Sequence, residues 1–175
     1  FGITVGATTN NVFVGYGPFK SQPRFGNTIS HFNDVVDFSS RGPGIIGDPK
    51  PDLMSIGAHG FTPSNVLKTS KNSKEESFSL FGGTSMAAPL VSGSAAILME
   101  GLNKQSKEYD PFTIKNILMS TAKDLQNDPF TQGSGLVDVS TALSFVNAEE
   151  GIFIVHNNAS YNNIKKILKP ALESI

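Results

Sequence analysis

Gly82-Gly83-Thr84-Ser85-Met86-Ala87-Ala88-Pro89, continued by an apolar run to Met99, is the stretch around which the rest of this chain is organised. A serine preceded by two glycines and a threonine, and followed at once by small and apolar residues, carries its hydroxyl at the N-terminal end of a helix. The first N–H groups of a helix have no intrahelical acceptor and bear partial positive charge, so they can stabilise an oxyanion. Pro89, four residues after Ser85, has no N–H, which leaves the Ser85 carbonyl without its usual helical bond and distorts the first turn. Gly82 and Gly83 let the incoming backbone turn sharply and admit close approach. Beyond Pro89, residues such as Leu90, Val91, Ile97, Leu98 and Met99 leave no charged face, and Ser92, Gly93 and Ser94 are small. The helix is therefore expected to be buried nearly all round. Alone, this reading marks a place for a nucleophile; a helix-capping serine is the simpler alternative, and Thr84 fits that cap equally well.

Composition narrows the classes. A chain of 175 residues with 38% hydrophobic and 17% charged residues can bury one core and is not of disordered type. A net charge of -1 gives no reason to expect nucleic acid or an acidic membrane as partner. The absence of cysteine excludes disulfides, Cys-zinc sites and a thiol nucleophile. No apolar run is expected to reach the length of a membrane span. The opening Phe1-Gly2-Ile3-Thr4-Val5-Gly6-Ala7 starts inside an apolar run with no initiator Met and no basic leader, which predicts a processed product or a fragment.

In chain order, Ile3 to Val5 reads as a parallel-sheet strand, and 8–34 as surface loops with a hairpin through Asn11 to Tyr16. Val36-Asp37-Phe38-Ser39-Ser40-Arg41-Gly42-Pro43 and Gly47-Asp48-Pro49-Lys50-Pro51-Asp52 are rigid turns. Residues 62–76 are hydrophilic and belong on the surface, and Ser77 to Phe81 is a brief strand with one buried face leading into Gly82. Gly101 is expected to stop the first helix. Asp110-Pro111 opens a second helix with Ile114, Ile117, Leu118 and Thr121 on one face, and Asp138 caps a third from Val139 to Val146. The fold class is α/β, a parallel sheet with flanking helices. A boundary falls near Asn147-Ala148-Glu149-Glu150-Gly151, giving a compact region 1–148 and a following region 149–175 that opens with the apolar run Ile152 to Val155.

Gly83-Thr84-Ser85-Met86-Ala87-Ala88-Pro89 with Val91-Ser92-Gly93 resembles the nucleophile signature of the subtilisin-like serine peptidases. Ile3-Thr4-Val5-Gly6-Ala7, Phe38-Ser39-Ser40-Arg41-Gly42-Pro43 and Lys50-Pro51-Asp52 fall in that family's chain order, and Gly133-Ser134-Gly135-Leu136-Val137-Asp138 with Ala142-Leu143 is similar to the end of its catalytic domain. The resemblance covers about residues 1–146. It implies a subtilisin-like fold present in part, Ser85 as nucleophile, and a Ser85 N–H donating to the oxyanion hole. The reaction implied is attack on a peptide carbonyl, an acyl-enzyme and its hydrolysis by water. It also implies a polypeptide substrate, an extracellular or cell-surface location, and calcium as a cofactor for which no ligand is assigned. In the family the catalytic Asp and His and the second oxyanion donor lie upstream of the strand that opens this chain, so the N-terminal part of the catalytic domain is an expected partner and the chain alone is expected to be inactive. Leu90 stands where many members have His, and Ser55-Ile56-Gly57 replaces the usual Ala-Pro-Gly.

Other residues are weighed against plainer roles. Asp52, His59 and Ser85 follow the subtilisin triad order, but the short Asp-to-His step falls in a turn that matches another part of the family, so His59 is read as a loop histidine. His31 and His156 are isolated. Arg41 is read as pairing with a carboxylate in its turn rather than facing substrate. Oxidation of Met86, next to Ser85, would place a polar oxygen at the site. Asn158-Ala159-Ser160 fits a glycosylation acceptor, a triplet frequent by chance. The alternative function from another class is a non-catalytic binding or structural module on the same scaffold.

Overall fold

The structure, a computed structural model, describes residues 2–9, 34–58, 60–63 and 78–147. Strand β1 (Val5–Thr9) pairs in parallel with β2 (Leu53–Ala58), in register from Val5 opposite Leu53 to Thr8 opposite Ile56, with an irregularity before Thr9. Both strands are buried almost throughout, as parallel strands covered by helices are. Short bridges widen this sheet on both sides. Val35 pairs with Thr8 beyond β1, while Leu136 pairs with Met54 beyond β2 and with Lys123 in turn. A separate antiparallel ribbon joins β3 (Gly60–Pro63) to β4 (Phe78–Phe81).

Helix α1 (Thr84–Lys104) crosses the sheet, and α2 (Pro111–Ser120), the short α3 (Pro129–Gln132) and α4 (Val139–Val146) come after it in the chain. Ala87, Val91, Ser94, Leu98 and Leu102 form the buried stripe of α1, spaced four, three, four and four residues apart as one helix face requires. Two clusters result. Leu53, Val91, Leu98, Leu102, Ile117 and Val146 belong to the larger, and Ala7, Val36, Ala58 and Ala87 make a smaller one that joins the first turns of α1 to the sheet.

Several sequence expectations change here. α1 is not buried all round: Leu90 is 46% and Ile97 44% exposed, because the described residues supply a partner for only one of its faces. Nor does Gly101 stop the helix, which continues to Lys104. Gly101 serves packing instead, since a Cβ there would stand 3.3 Å from Leu143 Cδ2 and 3.5 Å from Val146 Cγ1 of α4. α1 is also long and apolar enough to cross a membrane by length and composition, contrary to the expectation that no run reaches a span. Its stripe against the sheet, α2 and α4 makes it a core helix of this fold.

The first strand begins at Val5 rather than Ile3, because the backbone of Thr4 is taken up by Asp52: Thr4 N–H donates to Asp52 Oδ2 at 2.7 Å and Asp52 N–H donates to Thr4 O at 2.8 Å. Residues 62 and 63, the start of the stretch expected on the surface, belong to β3. α2 and α4 lie where the Asp caps place them. Asp110 Oδ1 accepts from Thr113 N–H at 2.7 Å and Asp138 Oδ1 accepts from Thr141 N–H at 3.0 Å. α3 has no counterpart among the expected elements, although its Asp128-Pro129-Phe130-Thr131 repeats the tetrapeptide at 110–113 and again has a capping Asp, with Asp128 Oδ1 accepting from Phe130 N–H at 2.9 Å. The hairpin expected at 11–16, residues 64–76 of the stretch expected on the surface, and the region 149–175 lie outside the described residues.

Candidate active site

Gly83 is the N-cap of α1, with φ 146° and ψ 165°, a backbone open to glycine and strained for any L side chain. Its N–H donates to Gly57 O at 2.6 Å, and its carbonyl accepts from Met86 N–H at 2.9 Å and Ala87 N–H at 3.4 Å. This fastens the start of α1 to the C-terminal end of β2. The approach is close enough that a Cβ on Gly57 would stand 2.9 Å from Gly83 O and 2.5 Å from Ala7 Cβ. Ligand sites in α/β sheets form at the carboxyl ends of parallel strands, which is where this junction lies.

Thr84 and Ser85 open the helix, and no side chain caps it, so neither hydroxyl is the cap that the plainer reading required. Ser85 is exposed. Its N–H has no backbone acceptor among the described residues, and Pro89 withholds the N–H that its carbonyl would otherwise receive. An accessible hydroxyl thus stands on the first turn of a 21-residue helix whose dipole favours negative charge there. Gly60 of β3 lies against Met86, where a Cβ would stand 2.6 Å from the sulfur, so the ribbon borders the serine turn.

Asp52 sits at the other end of β2, five residues before Gly57, roughly 16 Å away at a rise of about 3.3 Å per residue. It is buried and fully engaged: Lys50 Nζ lies 2.8 Å from Oδ1, Lys115 Nζ lies 2.8 Å from Oδ2, and Thr4 N–H also donates to Oδ2. Burial alone pushes its carboxyl up. The hydrogen bonds from Lys115, Lys50 and Thr4, with the Lys115 charge, outweigh that and hold it below the usual carboxylate range. The group is a clamp between β1, the Lys-Pro-Asp turn and α2, and it is not in reach of Ser85.

His31, His59 and His156 lie outside the described residues. Arg41 is exposed and makes no ion pair among the described residues, so the expected pairing within its turn is not seen. Among the described residues no three His, Asp or Glu side chains stand together as a metal site. Lys115, Gly57 and Gly60 shape the site and its supports without having been singled out by the sequence. Gly57 had a visible signal in the Ser-Ile-Gly step after the turn; Lys115, one of several polar residues on α2, had none.

The model of the subtilase family matches residues 2–135. The chain belongs to the subtilase family. It is 33% identical over 168 residues to pyrolysin of Pyrococcus furiosus, covering 85% of this chain and 11% of that protein. It is 32% identical over 148 residues to the serine protease AprX of Bacillus subtilis, covering 81% of this chain and 29% of that one. Among solved structures it is similar to the CspB protease of Clostridium perfringens, with a TM-score of 0.52 and 28% identity, over 83% of this chain and 26% of that chain. The chain therefore spans less than a third of the length of these relatives, and a subtilase fold present in part accounts for a sheet with β1 and β2 beside a helix covered on one face.

Proposed function

We propose that Ser85 is the nucleophile of a serine endopeptidase whose active site is completed by parts of the protein outside this chain. The observation that carries the reading is the junction of β2 with α1: an exposed hydroxyl at the start of the helix, fixed to the end of the strand through Gly83 and Gly57, beside an unengaged N–H. The Ser85 oxygen attacks the carbonyl carbon of a peptide bond, and its proton passes to a histidine base. The carbonyl oxygen takes the charge and receives the Ser85 N–H. Collapse expels the amine, which takes the proton back from the base, and water then hydrolyses the acyl-enzyme.

The open face of α1 supports the claim that more of the domain packs here. Leu90 and Ile97 stand one heptad apart on it, with Gly93 between them, a surface that water covers poorly and a neighbouring element can approach closely. For location we propose the extracellular space or the cell surface, on the strength of the family alone. The test is hydrolysis of an unfolded polypeptide by the complete protein, by its Ser85→Ala variant and by residues 1–175 alone. The complete protein is expected to cleave, with a loss of roughly 10⁶ in turnover on substitution, the size found on removing the nucleophile of a subtilisin. Cleavage that survives Ser85→Ala would overturn the assignment, and a complete protein that never cleaves would favour a non-catalytic module.

A further inference from the structure

A second apolar surface lies at the far end of α1, roughly 26 Å from Ser85 at a helical rise of about 1.5 Å per residue. Leu102 of α1, Ile117 of α2, and Phe145 and Val146 of α4 line a groove of about 420 Å³, with Lys107 and Glu108 at its rim. Leu102, Ile117 and Val146 are buried and form the floor. Lys107 Nζ donates to Val146 O at 2.8 Å, and Gln105 Nε2 donates to Asn147 Oδ1 at 2.8 Å, so the end of α4 is fastened to the rim. The backbone leaves α4 at the wall of the groove itself.

Beyond Asn147 the chain continues as Ala148-Glu149-Glu150-Gly151-Ile152-Phe153-Ile154-Val155. Three properties of this segment suit the groove. Residues 148–151 span at most about 14 Å when fully extended, so Ile152 is kept near the point of exit. The Lys107 ammonium has no carboxylate within ion-pair distance among the described residues, and Glu149 and Glu150 come directly after the helix end it caps. Four consecutive apolar residues need cover from water, and the groove is apolar with a polar rim.

We propose that the groove is the seat of Ile152–Val155, with Glu149 and Glu150 facing Lys107 on the way in. This assignment is independent of the peptidase reading.

The experiment uses the complete protein, in which Glu108→Cys at the rim is combined in turn with Ile152→Cys, Phe153→Cys and Ile154→Cys. Mild oxidation and mass spectrometry of the peptides then report which pairs have come within the about 4.4–6.8 Å between Cα atoms that a disulfide needs. Linkage within one chain is expected for at least one Glu108 pair, and none for the same partners combined with Ser120→Cys on exposed α2 backbone. Linkage between light and heavy chains in a mixed sample would show a second copy in the groove and overturn the proposal. So would no linkage at all, or equal linkage from position 120. Hydrogen exchange gives a readout without cysteines. In Ile152→Asp/Ile154→Asp the amides of α2 from Ile114 to Leu118 should exchange roughly tenfold faster, as when apolar cover is lost, and unchanged rates would contradict the assignment.

Discussion

At Gly83 one residue does three things: it adopts φ 146°, donates to Gly57 O, and accepts from the Met86 and Ala87 N–H groups of α1. Gly83→Ala forces a strained backbone at a cost of about 1–3 kcal/mol, and we expect a lower urea midpoint together with a loss of reactivity at Ser85. A variant with wild-type midpoint and reactivity would refute this. Thr8 is the opposite case, since its Oγ1 is buried without a hydrogen-bond partner among the described residues. Thr8→Val removes an unpaired polar atom at nearly constant shape and should raise stability by about 1 kcal/mol, read as a higher urea midpoint. Asp52 links stability to pH. Its folded-state value lies below the unfolded value of about 3.9, so its contribution is fully present above that value and is lost as the pH falls through the folded one. Asp52→Asn should cost about 2–3 kcal/mol at neutral pH, less than breaking a fully buried pair because both lysines are part-exposed, and should flatten the loss of stability below about pH 4. A mutant whose pH profile runs parallel to the wild type would sink that account.

Among the elements, α1 has one satisfied face and one open face, and adjacent residues report on each. If the rest of the proposed domain covers Ile97, Leu98→Ala and Ile97→Ala should both cost about 2–5 kcal/mol in the complete protein. If Ile97→Ala changes stability by less than about 0.5 kcal/mol, as surface substitutions do, that face is open in the whole protein too. The same helix shows how far local signals reach. Its start, and the starts of α2 and α4, were legible because glycine, Asp-Pro and Asp caps act locally, through bonds to residues two or three positions on. Its end was not, since Gly101 stays helical owing to Leu143 and Val146, which lie more than forty residues later. The half-exposed face was illegible for a related reason, as periodicity shows which residues are apolar but not whether a neighbour is there to cover them. α3 differs again, for its Asp-Pro-Phe-Thr start is identical to that of α2, but its helix is only four residues long, too short to carry an apolar period.

For the whole molecule, the candidate site is a junction between a strand end and a helix start, and the sequence showed its helix half better than its strand half. Ser85 was apparent from its neighbours, whereas the bond from Gly83 to Gly57 joins segments twenty-six residues apart and becomes visible only once β2 is built beside β1. The junction lies in a chain of the subtilase family, and in the proposed function its serine becomes a nucleophile when the rest of the catalytic domain is present. The most direct measurement is labelling of the complete protein with a fluorophosphonate, with the modified residue located by mass spectrometry and Ser85→Ala run in parallel. A single adduct on Ser85 that disappears in the variant is expected; an active protein labelled on another serine, or labelled equally in Ser85→Ala, would overturn the assignment.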